Sequence, residues 1–211
     1  VWDPWVRLVH WGLVVLLAAS WITARLHLMD WHFRSGYAAL TLLIFRVLWG
    51  FLGSDTARFA RFLKSPLAAL RHLAHAGRRE PDAEVGHNAA GGWMVLVLLA
   101  LLAQAATGLF TYDQIFTYGP LARQVEEDTR DALSSWHVFI IDIILAAVAL
   151  HVLAVVLYRV VKGHRLARAM VTGRKTLPEG VAAPRLGSPI LALALLAGSA
   201  AVVAVIASFG D

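Results

Sequence analysis

The sequence predicts an all-α fold, an integral membrane helical bundle, and three observations carry that prediction. Of the 211 residues, 59% are hydrophobic and 16% charged, too little polar surface for a soluble domain of this size. The apolar residues gather in five runs, each near the roughly 20 helical residues needed to cross a hydrocarbon core of about 30 Å. The charged residues fall almost entirely between those runs.

The runs cover approximately residues 6–28, 35–52, 91–110, 136–158 and 186–209. The first carries WDPWVRLVHW at its start and lacks a small-residue cleavage site, so it reads as a span and not as a leader. The second is the shortest and holds Arg46 near its end, with flanks that leave room to extend it. Between the second and third lies TARFARFLKSPLAALRHLAH, too charged to span. There Phe59, Phe62, Leu63, Leu67 and Leu70 recur at helical spacing, which predicts an interfacial helix over about 56–76, bent at Pro66. The organisation expected is a four-helix transmembrane domain over 1–175, this interfacial helix included, followed by a linker and a fifth transmembrane helix over 176–211.

Charge sets the expected orientation. Arg58, Arg61, Lys64, Arg71, Arg78 and Arg79 separate the second and third runs, and Arg159, Lys162, Arg165, Arg168, Arg174 and Lys175 follow the fourth. Between the third and fourth the balance is acidic, with Asp113, Glu126, Glu127, Asp128 and Asp131 against Arg123 and Arg130. The positive-inside rule then puts both basic loops and the amino terminus in the cytoplasm and the carboxyl terminus outside. Trp5, Trp11, Trp31, Trp49, Trp93 and Trp136 lie near run ends, where interfacial aromatic anchors belong. The net charge of +5 is explained by these loops and by lipid headgroups, with no call for nucleic acid. The absence of cysteine excludes disulfides, thiolate-held iron–sulfur clusters and covalently attached c-type haem, and leaves histidine as the metal ligand.

An ionisable side chain inside a span is costly and points to function. Of nine histidines, His10, His137 and His151 fall inside runs, His32 sits at the mouth of the second, and His27 ends the first. His72, His75, His87 and His164 lie in loops. His137 and His151 are 14 residues apart on one run, so they differ by about 40° around the helix and stand roughly 21 Å apart along it. The first run starts inside, which brings His10 to the depth of His151; the second starts outside, which brings His32 level with His137. Two depth-matched pairs follow, suited to two b-type haems with both axial positions filled by imidazole, an arrangement that favours electron transfer. His27 competes for the outer site. Gly36, one turn beyond His32, would admit a flat macrocycle, whereas His27 lies among Leu26, Leu28 and Met29. Arg7 and Arg46 near the inner level and Arg34 near the outer one are equally readable as partners of haem propionates or as headgroup anchors.

Taken together, these residues resemble the bacterial cytochrome b-561 and nickel-hydrogenase b-type cytochrome family over about residues 2–175. The matching stretches are WDPWVRLVHW around His10, HFRSGYAALTLLIFR from His32 to Arg46, and GHNAAGGWM from Gly86. They continue with QAATGL containing Gly108, SWHVFIIDIILAAVALHV with His137 and His151, and MVTGRK from Met170. The resemblance implies a four-helix diheme core in the bacterial inner membrane, to which the fifth helix is added. It also implies His10, His32, His137 and His151 as haem ligands, with Gly108 beside the cofactor. Exchange of electrons between membrane quinone and a redox partner protein, such as a periplasmic cytochrome c or a hydrogenase-like subunit, is the implied function. One departure is the missing proline after the asparagine of GHNAAGG. A self-sufficient quinone oxidoreductase acting on superoxide or ferric iron at the outer haem is the alternative. A non-redox anchor or transporter leaves the histidine pairs unexplained and lacks the broken, repeated spans of transporters. Glycine and alanine on the fifth run suit packing against a second copy, hence a homodimer.

Overall fold

The computed structural model describes residues 3–62, 93–112, 117–163, 166–174 and 184–210. Helix α1 runs over Pro4–Arg25. Its start is written in the sequence: the Asp3 carboxylate accepts from the backbone N–H groups of Trp5 at 2.7 Å and Val6 at 3.0 Å. Pro4 follows in the first turn, where a missing N–H costs nothing. The chain reverses over residues 26–28, with His27 in the left-handed region at φ 55°, a conformation histidine adopts more readily than bulky residues. Helix α2, Met29–Leu52, then returns along α1. It begins at Met29 and not at residue 35, because Asp30 and Arg34 count against a span in hydropathy, yet both are exposed and Asp30 suits the first turn of a helix.

After α2 a turn leads to the short helix α3, Phe59–Phe62. The expected interfacial helix over 56–76 is described only to residue 62; its remainder, Pro66, His72, His75 and His87 lie outside the described residues. Helix α4, Trp93–Gly108, corresponds to the third run and is 16 residues long within the described residues. The segment back to the next helix is held by Gly119 N–H donating to Thr111 at 2.8 Å and Leu121 N–H donating to Leu109 at 2.9 Å. Helix α5, Glu127–Lys162, is a single helix of 36 residues. It exceeds the predicted 136–158 at both ends, since hydropathy reads the hydrocarbon and not the charged turns beyond it. It closes on Gly163 at φ 75°, a left-handed C-cap that suits glycine. Helix α6 covers Leu166–Thr172 and helix α7 covers Pro189–Ala207. His164, Arg165 and Lys175 lie outside the described residues.

Four helices, α1, α2, α5 and α7, are long and apolar enough to cross a membrane, and α4 is apolar but shorter. The protein is an all-α, multi-pass membrane bundle. α1 packs on α2, α4 on α5, and α2 also meets α4 and α7. The fifth predicted span is therefore part of the bundle. Ala192, Ser199 and Val203 on α7 are buried, small enough for the two backbones to approach closely. The same end is tied again where Gly187 N–H donates to Ser54 Oγ at 2.7 Å.

The core at this end joins Val6, Val9, Phe45, Trp49, Ala57 and Ala192. Trp49 was expected as an interfacial anchor but is 0% exposed. Its Nε1–H donates to Asp3 Oδ2 at 2.9 Å, which satisfies the one polar atom that would otherwise oppose burial. Trp11, Trp31 and Trp136 are 42%, 61% and 55% exposed. Much of α5 away from its histidines is exposed and apolar, including Val138, Phe139, Leu150 and Leu153, as a lipid-facing surface must be.

Candidate functional site

Helix α5 supplies two histidines to one side of the bundle, and two other helices face them. His32, in the first turn of α2, stands opposite His137 with ring centroids 6.2 Å apart and planes at 90°. His10, in the second turn of α1, stands opposite His151 with centroids 6.4 Å apart and planes at 61°. Two imidazoles bound at about 2 Å on opposite sides of one metal ion have centroids about 6 Å apart. Both pairs have that separation. They lie about 21 Å apart along α5.

The donor set also limits what it can hold. Among the described residues, no group of three or more His, Cys, Asp or Glu side chains is placed to bind a metal. A bare transition-metal ion wants about four ligands, which an isolated imidazole pair does not supply. A metal that brings its own equatorial ring, as haem does, needs only the two axial nitrogens.

Around His32 and His137 the protein fixes the rings by hydrogen bonds. His32 Nδ1 donates to the Ser20 carbonyl at 2.9 Å, and His137 Nδ1 donates to the Gln104 carbonyl at 2.9 Å. A ring nitrogen facing a carbonyl oxygen carries the proton, so Nε2 is left as the acceptor on both rings, the usual state of a metal-binding histidine. The Gln104 side-chain amide donates to His137 Nε2 at 3.2 Å, while its Oε1 is buried without a partner. Thr107 Oγ1 lies 3.3 Å from His137 Nδ1. Ser20 and Ser35 hydroxyls meet at 2.6 Å and tie α1 to α2 beside His32.

Two glycines shape the same level. A Cβ on Gly108 would come 2.8 Å from His137 Cε1, so glycine is what lets α4 lie against that ring. A Cβ on Gly36 would meet nothing within 4 Å, which leaves the flank of α2 one turn from His32 open to a flat group. His27 is exposed in the turn after α1 and belongs to neither pair.

The His10–His151 level is built differently. His10 Nδ1 is buried without a hydrogen-bond partner, and its ring stands edge-on to Trp11 with centroids 4.9 Å apart. His10 follows directly on the buried Val9.

The three arginines contact other groups. Arg7 Nε donates to the Met170 carbonyl at 3.1 Å, and its Nη2 donates to the Val171 carbonyl. Arg46, 8% exposed, donates weakly to the Ala57 carbonyl at 3.4 Å and lies 4.9 Å from the Phe59 ring. Arg34 lies over Trp31 at 5.4 Å. Sequence reasoning missed Gln104, Thr107, Ser20 and Ser35. Gln104 and Thr107 had a signal: polar residues in an apolar run, four and one residues before Gly108 and about one helical turn from each other. The carbonyls of Ser20 and Gln104 had none, because any residue supplies one.

The sequence model of the prokaryotic cytochrome b561 family, which includes the nickel-hydrogenase b-type cytochromes, matches residues 1–173. Comparison with curated proteins and with solved structures returned no match.

Proposed function

The chain belongs to the prokaryotic cytochrome b561 family, and from that premise we propose that it carries electrons across the bacterial inner membrane by way of two b-type haems. His10 and His151 hold one, and His32 and His137 hold the other. A membrane electron-transfer role with b-type haem follows from the family itself. The observation that supports two haems and this pairing is the ring separation, 6.4 Å in one pair and 6.2 Å in the other. When bound, the haems supply one-electron redox centres at two depths.

The residues divide the remaining work. The single helix α5 fixes the spacing between levels, since both of its histidines move with one rigid backbone. These four imidazoles would hold the haems and leave oxygen no free position to bind. Ser20 and Gln104 carbonyls orient the rings of one level, and Gly36 and Gly108 keep helix surfaces clear beside it. Arg58 follows α2, Arg159 lies in the last turn of α5, and Arg168 and Arg174 come after it, which favours a cytoplasmic placement for the His10–His151 end. We call that level inner and the His32–His137 level outer. The reaction proposed is exchange between membrane quinone and a redox protein, with a periplasmic cytochrome c or a hydrogenase-like subunit as the class of partner.

Vesicles containing the haem-loaded protein test the crossing. External dithionite should reduce ferricyanide trapped inside, and His137→Ala or His151→Ala should bring the rate down to that of empty vesicles. A wild-type rate in both variants would refute transfer through these two levels.

A further inference from the structure

We propose that α6 is a clasp that positions His10 against His151, with Arg7, Trp11 and Gly173 as the residues through which it acts. The inference rests on the assignment of His10 and His151 as a haem-binding pair and goes beyond it.

The two members of this pair sit on helices that pack mainly elsewhere, α1 on α2 and α5 on α4. The chain itself supplies a link between them. After α5 ends at Gly163, α6 turns back and places Ala169 in a buried position and Met170 against the core cluster that contains Val6 and Val9. The last carbonyls of a helix have no partner within it. Here those carbonyls accept from α1: Met170 from Arg7 Nε at 3.1 Å and from Trp11 Nε1 at 3.3 Å, and Val171 from Arg7 Nη2.

Arg7 and Trp11 flank His10 within one turn of α1. Trp11 also provides the edge-on contact to the His10 ring, whose Nδ1 has no hydrogen bond of its own. The ring's setting thus follows from Trp11, and Trp11 is held by α6. Gly173 completes the clasp for two reasons. Its φ of 72° is a left-handed conformation that suits glycine, and a Cβ there would run into the Arg7 guanidinium.

Electron paramagnetic resonance and a redox titration of the purified, haem-loaded full chain test this. The inner low-spin component is defined as the one missing from His151→Ala. Gly173→Ala should shift that component's g-values and its titration step, or remove it, while the outer component stays at its wild-type position. Trp11→Phe, which keeps a ring but loses the donor, should move the same component by a smaller amount. Arg7→Ala should act like Gly173→Ala, and Arg7→Lys, which keeps a charged donor, should restore most of the wild-type signal.

Wild-type signals at both levels in folded Gly173→Ala and Trp11→Phe would overturn the clasp, as would equal shifts of both components. Should Gly173→Ala bind no haem at all, Trp11→Phe decides by the same criteria. A wild-type protein without two low-spin components would instead overturn the haem assignment, before any variant is considered.

Discussion

At the outer level both imidazoles donate from Nδ1 to backbone carbonyls, His32 to Ser20 and His137 to Gln104, each at 2.9 Å. At the inner level His10 Nδ1 is buried with no partner, and its ring leans on Trp11 instead. The ring-to-ring distances are nonetheless alike, 6.2 Å and 6.4 Å. One donor set is thus oriented in two ways, by hydrogen bonds to carbonyls of neighbouring helices in the first case and by packing plus a returning helix in the second. An imidazole that donates its Nδ1–H to a carbonyl is a more basic ligand, so the two levels should differ in redox behaviour as well as in what disturbs them.

The largest effect expected is loss of one level without the other. His137→Ala and His151→Ala should each halve the haem bound per chain, with different low-spin signals surviving, and the double variant should bind none. Loss of all haem in both single variants, from protein that still inserts and folds, would mean that the levels are not independent.

A smaller effect separates the levels by shape. Gly36→Leu would fill the open flank of α2, and Gly108→Ala would push on the His137 ring. Both should weaken or shift the outer signal in the optical and paramagnetic spectra and leave the inner one in place. An inner signal that moves equally would show that these glycines serve the whole bundle.

Smaller again is the difference in potential between levels. More basic axial ligands stabilise oxidised iron, and hydrogen bonds made by those ligands shift haem potential. The step lost in His137→Ala should therefore titrate at the more negative potential. Thr107→Val, which removes the hydroxyl 3.3 Å from His137 Nδ1, should move only that step. The reverse order of steps would contradict the role given to the Ser20 and Gln104 carbonyls.

The smallest expected effect on the haems comes from Asp3→Ala at the inner end. It removes an N-cap and leaves the buried Trp49 N–H without its acceptor, a loss of about 1–3 kcal/mol. Thermal unfolding should shift down while both haem steps persist.

How much of this was legible in the sequence depends on the kind of partner involved. The meeting of His10 with His151 and of His32 with His137 was readable because the spacing of His137 and His151 and the charge of the loops give relative depth independently of any contact. The extents of α2 and α5 were not, since Asp30, Arg34, Glu127 and Asp128 lie in helical turns beyond the apolar stretch. Trp49 looked like an anchor because its place at a run end does not reveal that Asp3 comes back to meet it. Arg7 was read for its charge, while its geometry is set by carbonyls of residues 163 and 164 positions away. Backbone acceptors and returning segments carry no residue-type signature, and those are what orient the rings.

The haem-to-protein ratio of the purified chain, taken together with the spin state of its iron, tests the two histidine pairs as haem sites. Two haems per chain, both low-spin with nitrogen on each axial side and neither binding carbon monoxide, is the result expected. One haem per chain, or high-spin iron open to carbon monoxide, would contradict the pairing of His10 with His151 and His32 with His137.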